Sequence, residues 1–83
     1  MMKITLKLFS GLAEYLPPEA DGNALEVSAP DSMTAHGLID QYRLPRGEVQ
    51  VMMVNGEFLP PHERDLPLRD GDVISVWPSI QGG

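Results

Sequence analysis

Apolar and polar side chains alternate from the start of the chain. Ile4, Leu6 and Leu8 fall on one side of an extended backbone, and Lys3, Thr5, Lys7 and Phe9 on the other. That period is the mark of a half-buried strand. Phe9 stands on the polar side, the wrong side for a core aromatic. Gly11 to Leu16 fits a short helical turn stopped by Pro17-Pro18. Glu19 to Asn23 is a polar loop, and Ala24 to Ala29 is a second short strand with Leu25 and Val27 inward.

The period then changes. Ala35, Leu38, Ile39 and Tyr42 fall at i, i+3, i+4 and i+7, one face of a helix. Thr34 is the preferred N-cap, with Asp31 and Ser32 as alternatives. Gly37 weakens this helix by roughly 1 kcal/mol, so packing must hold it. Arg43 suits the negative end of the helix dipole, and Pro45 ends the helix. Glu48 to Val54 is a third strand, whose Val51-Met52-Met53-Val54 run leaves its inward face undecided. Asn55-Gly56 is the strongest hairpin signal in the chain. Glu57-Phe58-Leu59 returns as a short strand before Pro60-Pro61, and His62 to Leu68 is a mixed-charge loop. Asp70-Gly71-Asp72 turns into a last strand, Val73 to Trp77, with Ile74 and Val76 facing in and Ser75 and Trp77 facing out.

Strand, strand, helix, strand, short strand, strand is the order of an α+β roll. The expectation is a mixed sheet of four to five strands with one main helix packed on one face. Residues 1–77 form the domain and 78–83 a flexible tail. One helix covers one face of the sheet, so Phe9 and Trp77 share the other, joined by Met53 and Phe58. An apolar patch rimmed by charge marks a partner site.

Composition narrows the chemistry. Twelve acidic residues against six basic ones give a net charge of −6, which opposes binding to nucleic acid or anionic lipid. It suits a partner with a basic docking surface, and solubility accounts for it equally well. No cysteine is present, which excludes disulfides, thiolate metal sites and a cysteine nucleophile. Lys3 and Lys7 interrupt any apolar run at the start, and no stretch approaches a membrane span. A cytoplasmic protein is expected.

Catalytic patterns fail in turn. No glycine-rich phosphate loop occurs. His36 and His62 have no ligand-like spacing, so neither a metal nor a cofactor is expected. No serine sits in a nucleophile elbow. The chain is not expected to be an enzyme on its own. What remains is its end, since no side chain from Val73 to Gly83 carries charge. Gly82 and Gly83 have no Cβ, so this segment can lie flat in a narrow channel. Extended, Pro78 to Gly83 reaches about 20 Å. A terminal carboxylate, with a pKa of roughly 3.3–3.7, is ionised and inert as an acyl donor. If a partner transfers AMP to it from ATP, a sulfur nucleophile can displace that AMP and leave a thiocarboxylate. The sites that enclose it must exclude water.

At these residues the chain resembles the ubiquitin-like sulfur carriers of the MoaD/ThiS type. The resemblance is carried by Leu8-Phe9 with the turn at Leu12, Thr34 with Leu38-Ile39, Val54-Asn55-Gly56-Glu57, Asp70-Gly71-Asp72-Val73, and the run from Trp77 to Gly83. It implies a β-grasp fold. The aromatic-Pro-x-aliphatic-x-Gly-Gly ending is closer to the small subunit of molybdopterin synthase than to the thiamine-pathway carrier. It departs from that pattern at Ser79, where a second proline is common, and at Gln81, where a small residue is common. By resemblance, Gly83 is adenylated by an E1-like enzyme using ATP, with Gly82 beside it. A desulfurase- or rhodanese-type donor supplies sulfur, and the tail inserts into the synthase large subunit. Phe9, Phe58, Trp77, Pro78, Ile80 and Gln81 are the expected partner-binding residues. Three other readings stay open: the same chemistry for thiamine or another pathway, a ubiquitin-like modifier joined to lysines, and an adaptor that uses the Phe9/Trp77 face alone.

Overall fold

The computed structural model describes residues 1–79. Five strands, β1 (Met2–Leu8), β2 (Ala24–Ala29), β3 (Val49–Val54), β4 (Glu57–Phe58) and β5 (Val73–Pro78), form one sheet in the order β2-β1-β5-β3-β4. The first and last strands pair in parallel at its centre, Leu6 opposite Ile74. Every other pairing is antiparallel. The expected mixed roll is present, with five strands.

Alternation along β1 and β5 does what its period requires. Ile4, Leu6, Leu8, Ile74 and Val76 are fully buried, and Leu38 and Ile39 of the helix α1 (Ala35–Gln41) close over them in the same core. Each such side chain contributes about 1.5–3 kcal/mol by leaving water. Leu12, on a 3-10 turn spanning Ser10–Tyr15, plugs one end of this layer.

Thr34 caps α1, its hydroxyl accepting from the Gly37 amide at 2.9 Å. Gly37 has a local reason to be glycine. A Cβ there would lie 3.1 Å from Met33 Sδ and 3.2 Å from the capping Thr34 Oγ1. Arg43 differs from expectation. It lies past the helix with φ 63, the left-handed position that glycine usually fills. Its amide donates to Asp40 O and that of Leu44 to Ile39 O, both at 3.0 Å. This pair of bonds satisfies the last carbonyls of α1 and turns Leu44 into the core.

The two turn motifs prove to be joints. Asn55 and Gly56 both have positive φ, 53 and 84, as a two-residue hairpin turn demands. Asn55 Nδ2 donates to Asp72 Oδ1 and Asn55 Oδ1 accepts from the Val73 amide, each at 2.9 Å. Asp70 Oδ1 accepts from the Lys3 amide at 2.8 Å. Together these bonds fasten the start of β5 between β3 and β1.

The undecided strand is settled by a bulge. Val49 pairs with Pro78 and Val51 with Trp77, which leaves Gln50 as the extra residue. Without it Val49 and Met52 would face opposite ways; with it both are buried. β5 also runs through Pro78, one residue past the expected end of the domain at Trp77. In the loop after β4, Arg64 is only 5% exposed, a burial that the mixed-charge sequence did not announce. Its Nε donates to Leu59 O at 3.0 Å, while one Nη is buried without a partner among the described residues. Burial lowers the pKa of this guanidinium. Among the described residues no helix is long and apolar enough to cross a membrane.

Candidate functional site

Helix α1 protects one side of the sheet and leaves the other open. Parity puts Lys3, Thr5 and Lys7 of β1 on the open side, with Ser75 and Trp77 of β5, Val51 and Met53 of β3, and Phe58 of β4. At one end of this face the Phe9 and Trp77 rings stack, centroids 4.7 Å apart and planes within 7°. Two backbone features hold the pair. The Phe9 amide donates to Val76 O at 3.1 Å, which carries the parallel ladder one residue past β1. Ser10 then takes φ 53, turning the chain away and leaving the ring on the open face. Such a pair contributes about 0.5–1.5 kcal/mol beyond its area. Each ring stays half-exposed, available to a partner.

Beside the stack lies a largely apolar groove of about 530 Å³, lined by Ser10, Gln50, Val51, Met53, Trp77, Pro78 and Ser79. It ends where the chain leaves the sheet. There Ser79 Oγ donates to Gln50 Oε1 at 3.1 Å. Lys7, opposite Ser75 in the ladder, and Lys3, 3.5 Å from Glu26, place cations along β1 of this face in an otherwise acidic protein.

The expected site residues are not all brought together. Phe9 and Trp77 meet in the stack. Phe58 is 57% exposed and lies two strands from Trp77, opposite Met53. It also borders a second hollow, on the hairpin side, together with the 58% exposed Leu66. Pro78, expected in the tail, is the last residue of β5 and pairs with Val49. Ile80, Gln81, Gly82 and Gly83 lie outside the described residues. Sequence reasoning missed Gln50, Val51 and Ser79 as groove residues. Strict alternation through β3 gives the wrong parity at Gln50, so only knowledge of the bulge could have found it.

Among the described residues, no group of three or more His, Asp or Glu side chains is arranged to hold a metal. His36 Nδ1 and Asp65 Oδ1 pair at 2.9 Å, but they do so on the helix side, tying the loop after β4 to the start of α1. The open face offers a largely apolar contact surface. What it can do is present a neighbouring segment to another protein.

Comparison with known proteins places the fold and the family. No curated protein matches the chain. Among solved structures, a Pyrococcus furiosus protein described as molybdopterin converting factor, subunit 1, superposes with a TM-score of 0.71 at 22% identity, covering 96% of this chain and 100% of that one. The small archaeal modifier protein 1 of H. volcanii gives 0.68 at 18% identity, covering 96% and 100%. Subunit 1 in the Helicobacter pylori complex of subunits 1 and 2 of molybdopterin-converting factor gives 0.59 at 21%, covering 99% and 100%. These likenesses establish the β-grasp, ubiquitin-like fold. Residues 9–83, from the first stacked ring to the final glycine, match the ThiS family, and the chain belongs to that family of ubiquitin-like sulfur carriers.

Proposed function

We propose that this chain carries sulfur on Gly83 for the synthesis of molybdopterin, as the small subunit of a two-subunit synthase. The observation that supports it best is the stacked Phe9–Trp77 pair, set at the point where the sheet gives way to an uncharged segment ending in Gly82-Gly83. The docking face stands where this segment begins, at Pro78 and Ser79. The chain has no phosphate loop, so ATP is handled by an E1-like partner.

The chemistry follows from the carboxylate. Its oxygen attacks the α-phosphorus of ATP, and pyrophosphate leaves. The terminal sulfur of a persulfide on a desulfurase- or rhodanese-type donor then adds to the acyl carbon, the C–O bond breaks and AMP leaves. A thiol next attacks the donor's sulfur in the resulting acyl disulfide, so that a mixed disulfide forms, the S–S bond to the acyl group breaks and the C–S bond remains. The resulting thiocarboxylate is a nucleophile at neutral pH, able to give its sulfur to a precursor held by the large subunit. Phe9, Trp77 and Pro78 dock, with Phe58 a separate contact at the sheet edge. Ile80 and Gln81 line the path of the glycines into the partner. The likeness to subunit 1 of the H. pylori complex, which is seen with its subunit 2, favours this reading.

A second reading has its own support. The H. volcanii likeness is named a modifier protein, and the same acyl adenylate, attacked by a lysine amine instead of sulfur, gives an isopeptide. Mass spectrometry separates the two. Incubated with ATP, the E1-like partner and a sulfur donor, the chain gains about 16 Da at Gly83 if the partner holds the terminus in line for attack. An unmodified terminus counts against the sulfur carrier. Isopeptide adducts in cell extracts that vanish on removing Gly83 favour the modifier. Restoration of molybdopterin, rather than thiamine, synthesis in a strain lacking its own carrier fixes the pathway.

A further inference from the structure

Pro78 has no amide hydrogen, so the last rung between β5 and β3 cannot be an ordinary one. At that rung β3 gains its extra residue, Gln50. A bulge turns a side chain to a new direction, and here Gln50 reaches Ser79, accepting its hydroxyl proton across 3.1 Å. The proline, the bulge and the hydrogen bond form one device at the exit of the sheet. Ser79 is the first residue beyond β5 and lines the groove beside Trp77.

We infer that the Gln50–Ser79 bond aims the chain as it leaves the sheet, which makes both residues positioning residues for the acyl chemistry at Gly83. The inference rests on the function proposed above. Its physical basis is that a reacting carboxylate must meet the α-phosphorus of ATP within a fraction of an ångström, and rate falls steeply with misplacement. A docking face fixes the body, but three residues separate Ser79 from Gly83. Holding Ser79 fixes the direction in which the chain leaves β5. Both residues line the groove, but their alanine variants keep the stacked pair and the apolar wall of Val51, Met53 and Pro78, so docking should change little.

The test is ATP–pyrophosphate exchange catalysed by the E1-like partner, with the full-length chain as the varied substrate. Gln50→Ala and Ser79→Ala should each lower kcat about three- to tenfold, the scale of one exposed hydrogen bond. KM should stay within about twofold, because docking is unchanged. The double variant should be no slower than either single one, since both remove the same bond. Ser79→Thr keeps the hydroxyl and should restore the rate, while Glu26→Gln, on the far edge of the sheet, should match the parent. Unchanged kcat in both alanine variants would overturn the inference, as would losses that multiply in the double variant or a change confined to KM. A parent chain that supports no exchange would overturn the proposed function as well, whereas a competent parent with indifferent variants would overturn only the aiming role.

Discussion

The two faces of the sheet are built from the same strands and obey different rules. On the helix side, Ile4, Leu6, Leu8, Met52, Ile74 and Val76 are packed to the point of zero exposure. On the open side, Phe9, Val51, Met53 and Trp77 are only partly covered, although they alternate with those core residues along the same backbone. The first face is closed by the chain itself, and its side chains serve stability. The second is left unfinished by the chain, its apolar side chains open to contact. A single domain of this size has one core to give, so surplus apolar surface on the second face is best explained by recognition.

That contrast can be broken most forcefully at Ile74. Ile74→Ala empties a fully buried site at the centre of the sheet and should cost about 2–5 kcal/mol. Chemical denaturation measures it. Any loss of partner binding should track the unfolded fraction. Trp77→Ala tests the opposite face. Stability should fall by only about 1 kcal/mol with the lost stack, while affinity for the large subunit should fall by roughly 2 kcal/mol or more, as for a buried aromatic anchor. Calorimetric titration against the purified large subunit is the check. A Trp77 variant that unfolds as readily as the Ile74 one would erase the distinction.

The smallest effect lies away from both faces. Asp40 accepts two bonds from Arg46, at 3.1 and 2.7 Å, and the Arg46 guanidinium holds its carboxyl below the ordinary value. A carboxylate whose folded pKa is depressed supports the fold above its unfolded pKa of about 3.9 and loses that support as pH falls through the folded value. Asp40→Asn should therefore flatten slightly the acid limb of the stability–pH curve below about pH 4 and leave partner binding unmoved. Thermal melts between neutral and acid pH would register it.

How much could be read in advance depended on how local each cause was. Strand alternation in β1 and β5 is written in neighbours, so the outward aspect of Phe9 and Trp77 was legible. Their stack was not, because it needs β1 and β5 to pair in parallel across more than sixty intervening residues. Thr34, Asn55 and Gly56 act within a turn and could be assigned from type and order. Val51-Met52-Met53-Val54 could not be oriented, because the bulge at Gln50 answers to Pro78 far along the chain. Arg64 looks like a solvated loop residue, and only the shape of that loop, closing its Nε onto Leu59 O, puts it inside. Arg43 shows the converse: a residue chosen for its charge also serves through its backbone.

The place of β5 has a consequence for how the protein is made. It is the last strand to be synthesised, yet it fills the middle of the sheet, between β1 and β3. Before it emerges, the chain has only two ribbons, β2-β1 and β3-β4, and isolated two-stranded ribbons are at best marginally stable. Phe9 then has no Trp77 to lie against, so the open face lacks its stacked pair until β5 is in place. Closure of the sheet and formation of the Phe9–Trp77 stack thus come together, since both wait for β5.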